Sequence, residues 1–519
     1  MSQKKLLRNI GMMSSAVFIS RIVGLLRDTV MAYFFGTTYL NDAFIVAYKI
    51  PNLLRGLFGE GALSAAFVPL YNEIGIKRGR EDQYRFALQV LSILSLALMI
   101  LTFFGVILAP WIVRILYPGL AEHTKVLAVS LSRIMFPYLF LIGLSSTMIA
   151  ILNSHDYFFM TGLSSALLNI GMIATILIPY ALGVRGEALV YWAGWGVFFG
   201  GILQTAINFP FLKRIGYRFA ARIKFSGEAI TALWRRFLPS MIGVGIREIN
   251  ILADSLMASF LVVGSITALE YGNRLVHLPM GIFAISTGMA LLPLYSRNVT
   301  EKKFEELSQS MRFSAITLAY VMIPVTMLIF ALGGDFVYLL FQRGAFDARA
   351  SLMTQQALFF YSIGLLFYSL NQTITPLFYA NKDTRTPVKI AAAMVTLNIT
   401  LNFILMQFMQ HRGLALSTSI TAATNYCVLL YHIRKKLPQI DFSGIWTNIL
   451  KAIVICAVIY IPIALQGRYI VVSGKGMVLL RDVIVTSVSF LLFYLLGLLF
   501  NLAYLKESTK RVWNRFTGR

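Results

Sequence analysis

The sequence predicts an all-α polytopic membrane protein. It should have 14 transmembrane helices: two six-helix repeats of like orientation around a central cavity, plus two extra C-terminal helices. Three observations predict this. First, of 519 residues 58% are hydrophobic and only 13% charged, with mean hydropathy +0.73; a soluble domain would be about 25% charged. Second, the apolar segments are helix-sized rather than the alternating stretches of about ten residues that build a barrel. Third, the first two spans recur in the second half of the chain.

The spans lie near 10–36, 41–71, 87–110, 126–152, 158–182, 188–210, 238–263, 268–295, 313–333, 352–380, 386–408, 412–432, 447–466 and 478–504. The basic N-terminus (Lys4, Lys5, Arg8) followed by an apolar run resembles a signal peptide, but Arg21 interrupts the run and no A-x-A site follows, so it reads as an uncleaved first span. Alternate connections are strongly basic, among them Lys77, Arg78, Arg80 and Arg85, then Lys213 to Arg236, then Arg434, Lys435 and Lys436, and the tail from Lys506 to Arg519. The opposite connections carry few Lys or Arg, which places both termini in the cytoplasm. This same bias explains the net charge of +24 without nucleic acid as a partner.

The repeat is read by register. Arg21, Asp28, Met31 and Phe34 match Arg247, Asp254, Met257 and Phe260 at an offset of 226. Gly36, Asp42 and Pro51 match Gly264, Glu270 and Pro279 at an offset of 228, and Pro69-Leu70-Tyr71 matches Pro293-Leu294-Tyr295 at 224. Six spans per copy is an even number, so the copies share an orientation and relate by an axis along the membrane normal. The domains expected are a six-helix lobe over 1–212, a basic cytoplasmic linker over 213–236 that could be an amphipathic helix or a plain connection, a second lobe over 237–437, and spans 13 and 14 with a basic tail over 438–519.

The stretch from Ser20 to Tyr71 carries the chemistry. It is apolar yet holds Arg21, Arg27, Asp28, Asp42, Lys49, Arg55 and Glu60. A charge at mid-bilayer costs roughly 2.5–3.5 kcal/mol on an insertion scale, so these residues must face one another or a water-filled cavity. Four of the seven are basic, so a cavity among them suits an anion. Arg21 and Arg27 point in different directions on a regular helix unless it bends at Gly24. Arg27 could alternatively form a structural pair with Asp28 or Asp42. In the second copy Arg274 lies four residues after Glu270, spaced for a plain helical pair or for the same cavity. Guanidinium groups suit a diphosphate because their planar fork offers two parallel donors, and Lys49 adds a point charge. Asp254, Asn398, Asn402 and Thr418 form a second polar set, which could hold Na⁺ or simply bond helices together. Cys427 and Cys456 lie in apolar spans, and the five histidines show no ligand spacing. No P-loop, H-E-x-x-H or G-x-S-x-G is present, so neither an enzyme nor an ATP-powered pump is indicated.

The run SRIVGLLRD, followed by NDAFIVAYKIPNLLRGLFGEGALSAAFVPLY, closely resembles the MurJ (MviN) lipid II flippase family of the multidrug/oligosaccharidyl-lipid/polysaccharide exporter superfamily. YGNRLVHLPMGIFAISTGMALLPLYS and NKDTRTPVKIA resemble it too. The resemblance implies a non-enzymatic flippase of the bacterial cytoplasmic membrane, without cofactor. It would move undecaprenyl-diphosphate-linked disaccharide-pentapeptide to the outer leaflet for peptidoglycan synthesis and act as a monomer. It further implies that Arg21, Arg27, Arg55 and Arg274 line the cavity, with Asp28, Asp42, Lys49 and Glu60 at matching positions, and that spans 13 and 14, with Arg481 and Asp482 at one end, form a groove for the lipid tail among membrane lipids. Some members bind Na⁺ at positions resembling Asp254, Asn398, Asn402, the Leu414 carbonyl and Thr418. Here an amide, Asn402, replaces an acid of that site, and Asn273 replaces an Asp found before the span-8 arginine, leaving Glu270 as the nearest acid. Coupling to Na⁺ or protons is an expectation only. A flippase for another polyprenyl-diphosphate-linked oligosaccharide is the alternative, and a membrane scaffold the bland one.

Overall fold

The computed structural model describes residues 3–56, 62–217, 227–469 and 474–505. Every regular element among them is helical. The helices form two compact units, Met1–Thr267 with Arg343–Phe346, and Ala268–Gln342 with Asp347–Arg519.

The first unit holds α1 (Gln3–Phe35), α2 (Tyr39–Arg55), α3 (Ala62–Arg78), α4 (Arg80–Leu116), α5 (Glu122–Met135), α6 (Pro137–Ser154), α7 (Phe158–Ala181), α8 (Glu187–Ala206), α9 (Asn208–Arg214) and α10 (Glu228–Ala258). α7 packs on both α1 and α8, α2 on α5, and α10 on α3. In lipid, helices associate through close backbone approach rather than the hydrophobic effect. The α7–α8 seam is built this way: a Cβ added to Gly171 would meet the Gly200 Cα at 2.6 Å. The apolar core lies among α3, α4, α6 and the first turns of α10, around Phe67, Tyr71, Phe86 and Leu98.

The second unit holds α11 (Ser265–Pro279, whose first residues belong to the first unit), a π-helical turn (Met280–Ala284), α12 (Ile285–Thr300), α13 (Phe304–Leu340), α14 (Ala348–Ile363), α15 (Leu365–Ala380), α16 (Arg385–Met409), α17 (His411–Lys436), α18 (Ile445–Tyr469) and α19 (Lys475–Leu499). α13 is its hub, packed against α14, α15, α18 and α19, and α16 lies along α17.

Nine of the described helices are long and apolar enough to cross a membrane, or ten if α14 and α15, bent by 42°, are one span. α1, with 33 residues, and α10, with 31, are of similar length and carry the ionisable residues treated below. The span expected at 126–152 is two helices, because Pro137 begins α6 and lacks the N–H that would continue α5. The sequence places a lobe boundary in the linker at 213–236, of which 218–226 lie outside the described residues. The compact units divide after Thr267, so that α10 belongs with α3 in the first.

Candidate functional site

In the first unit α1 runs as α-helix through Gly24, and Arg27 and Asp28 are both buried near its C-terminal end. Arg27 Nε and Nη2 donate to the same Asp28 oxygen at 3.1 and 2.7 Å, while Nη1 points to the Met172 sulfur of α7 at 3.9 Å. The structure thus chooses Asp28 over Asp42 as the Arg27 partner. Arg21, one and a half turns earlier, is half-buried.

Asp42 has a separate task. It is buried near the start of α2 and accepts three hydrogen bonds, from Gly264 N at 2.6 Å, Thr267 N at 3.0 Å and Thr267 Oγ1 at 2.7 Å. The two N–H groups are orphan donors at the start of α11, so Asp42 caps that helix from a distant part of the chain. Gly264 makes the approach feasible. It sits at φ +92°, and a Cβ there would strike the Thr37 carbonyl at 2.4 Å. The segment around Ala345 is hooked onto the same corner by its N–H to the Tyr33 carbonyl at 2.8 Å.

Lys49 donates to Ser255 of α10 at 3.2 Å. Arg55 ends α2, one turn after Pro51, and is half-buried. Glu60 lies outside the described residues. α10 brings an acid that sequence reasoning missed: Glu248 is buried, takes Arg247 Nη2 at 2.8 Å, and lies against Gly56. A signal existed, since the repeat register puts Glu248 where the first copy has Ile22. Asp254 is half-buried and accepts from Asn250 at 3.5 Å.

In the second unit Arg274 Nη2 meets Glu270 at 3.3 Å, the pair that four-residue spacing foretells, and both are about one-third exposed. Pro279 and the π-helical turn follow directly. Asn398 and Asn402 are fully buried on one face of α16. Asn402 Nδ2 donates to Asn398 Oδ1 at 3.1 Å, Asn398 Nδ2 to Ser417 Oγ at 3.4 Å, and Ser417 to Asn402 Oδ1. The Leu414 carbonyl accepts from Ser417 at 2.9 Å and Thr418 at 3.0 Å. Asn398 Oδ1 thus accepts from Asn402 and Asn402 Oδ1 from Ser417, so these side chains bond α16 to α17.

The first unit thus sets charged side chains of both signs inside its helices: Asp42 accepts from Gly264 and Thr267, Asp28 meets Arg27 and Glu248 meets Arg247, while Arg21, Lys49 and Arg55 lie on α1 and α2. An all-helical chain with spans of this kind and charged side chains inside apolar helices has the build of a membrane transporter. The family model described as "Lipid II flippase MurJ" matches residues 31–480, and the chain belongs to that family. It is 32% identical over 475 residues to the "Probable lipid II flippase MurJ" of Buchnera aphidicola subsp. Baizongia pistaciae, covering 91% of each chain. It is 30% identical over 431 residues to the "Lipid II flippase MurJ" of Burkholderia cenocepacia, covering 82% of this chain and 83% of that one. Among solved structures it is similar to "Lipid II flippase MurJ, inward closed conformation", with TM-score 0.77, 26% identity, and coverage of 98% and 99%. An inward-facing multidrug transporter of the MATE family shares the fold at TM-score 0.68 and 14% identity, covering 83% of this chain and 99% of that one.

Proposed function

We propose that this protein flips lipid II, the undecaprenyl-diphosphate-linked peptidoglycan precursor, from the inner to the outer leaflet of the bacterial cytoplasmic membrane. The single observation that carries the reading is a guanidinium, that of Arg27, buried inside an apolar helix, in a chain of the lipid II flippase family. The names of the relatives favour lipid II over another polyprenyl-diphosphate oligosaccharide. In this reading fourteen spans leave both termini cytoplasmic, the chain works as a monomer, and access alternates between the two faces. Arg21, Arg27, Arg55 and Arg274, with Lys49, are the candidate ligands of the diphosphate, and spans 13 and 14 accompany the lipid tail. Moving one negative charge outward across an inside-negative membrane gains about 2.3 kcal/mol per 100 mV, so the potential can drive the loaded step. A returning cation, a proton or Na⁺, resets the empty carrier.

The test is depletion of the native flippase and rescue with Arg27→Ala and Arg274→Ala at matched expression, reading lipid II at the outer leaflet. Loss of outward lipid II in folded variants is expected. Full activity in both would overturn the cationic site.

A further inference from the structure

The end of α19 next to α13 holds charges that the transport reading does not use. Arg481 Nη2 donates to Asp335 Oδ2 at 2.5 Å and to Asp482 Oδ1 at 2.8 Å, and its Nε reaches the same Asp482 oxygen at 3.1 Å. Two carboxylates thus share one guanidinium, both through the same nitrogen. Asp482 is 3% exposed, and its second oxygen is buried without a hydrogen-bond partner. Asp335 is about one-third exposed.

Among the described residues, the other groups here do not supply the missing positive charge. From α13, Tyr338 lies under the Lys475 ammonium at 5.1 Å. Lys475, on α19 itself, donates to the Gln342 carbonyl at 2.8 Å. α18, also packed on α19, carries Lys451, which donates to the Phe500 carbonyl at the far end of α19, together with Cys456 and Tyr460. The side chains of Arg468 and Tyr469 fall outside the described residues.

We propose that Asp335 and Asp482 form a proton-binding site, holding one proton between them against Arg481. A buried carboxylate oxygen facing nothing is disfavoured as an anion, and such a group takes up a proton instead. Two carboxylates on one guanidinium leave a net negative charge between α13 and α19, which one proton neutralises. The chemistry balances simply: one solvent proton adds to one carboxylate, and the cluster changes from net −1 to neutral. The site is separate from the lipid-binding proposal and does not depend on which lipid is carried.

The test is infrared spectroscopy of the full-length protein in lipid nanodiscs without substrate, reading the carbonyl stretch of protonated carboxylic acids at neutral pH. The wild type should show a band that Asp482→Asn removes. Asp335→Asn should remove it too, because a lone Asp482 beside Arg481 stays ionised. A band that survives Asp482→Asn overturns the site, and one that survives only Asp335→Asn overturns the sharing. If either variant does not fold, Asp482→Glu decides: a protonated-acid band shifted in frequency from that of the wild type upholds the site, and an unshifted band, or none in the wild type at neutral pH, refutes it.

Discussion

Asp42 and Glu270 stand at matching places in the internal repeat, 228 residues apart, yet their surroundings differ. Asp42 is sealed in protein and spends its lone pairs on three donors at the start of α11. Glu270 is partly exposed on α11 itself and meets Arg274 at 3.3 Å. At the neighbouring pair of positions Asp28 holds Arg27, while its counterpart Asp254 accepts from the Asn250 amide. The first copy has turned an acid into a buried joint, and the second has one in a partly exposed pair. The same residue type in the same register is architecture in one place and adjustable charge in the other.

The sharpest way to break this contrast is Asp42→Ala. It strands Gly264 N–H and both Thr267 donors in a buried corner, and hydrogen bonds to charged groups are worth about 1.5–3 kcal/mol each, although not additively. A loss of about 3–5 kcal/mol is expected, read as a large fall in thermal stability of the purified protein, with Asp42→Asn retaining part of it. An unchanged melting temperature would refute the joint.

The next effect separates structure from transport at Arg27. Arg27→Ala leaves the Asp28 carboxylate buried without its cation, a situation that costs about 3–5 kcal/mol. Adding Asp28→Asn removes that charge and should restore stability in thermal unfolding. It should not restore flipping, because the guanidinium itself is what the diphosphate needs. Recovery of both would make the pair purely structural and erase the difference between Arg27 and an ordinary ion pair.

Some of this was legible in the sequence. Helix-length apolar runs gave the fold class, and charges inside them marked α1 and α2 as the place to look. Spacing of four foretold Arg274 with Glu270 and put Asn398 beside Asn402, since such neighbours share a helix face. The Asp42 joint was not legible, because its donors lie 222 and 225 residues away. The grouping of α10 with the first unit is a matter of packing, which a repeat register cannot express. Nor did anything in the order Arg481-Asp482 say that the acid would be buried.

The two copies also differ where the α6–α7 and α15–α16 connections align, His155 in the first against Asp383 in the second. His155 Nε2 meets the Tyr71 hydroxyl at 2.9 Å, which in turn meets Tyr217. Burial, then the nearby Arg80, holds this imidazole below its usual pKa. The unfolded chain therefore binds the proton first, and stability falls as pH drops below about 6.5. Burial would raise the Asp383 carboxyl, but Lys436 and Thr386 outweigh it and hold the pKa at about 2. Its stabilisation is full above about pH 4 and is lost as pH falls toward 2. Allowing for solvent screening of Lys436, it amounts to about 1–2 kcal/mol. Unfolding scans should show His155→Gln flattening the limb below pH 6.5, and Asp383→Asn destabilising at neutral pH but not near pH 2. A single shared window for both variants would remove the distinction between the loops.

The smallest effect returns to Glu270. Glu270→Gln breaks one partly exposed pair on a helix, worth about 0.3–0.5 kcal/mol, so the melting temperature should scarcely move. Transport should respond more than stability does. With the acid gone, Arg274 carries its full charge toward an incoming diphosphate, which tightens capture and slows release. The rescue assay should therefore show a changed flipping rate in a protein of normal stability. A destabilisation as large as that of Asp42→Ala, with flipping unaltered, would mean that Glu270 is a joint like its counterpart, and that the two copies differ in geometry but not in kind.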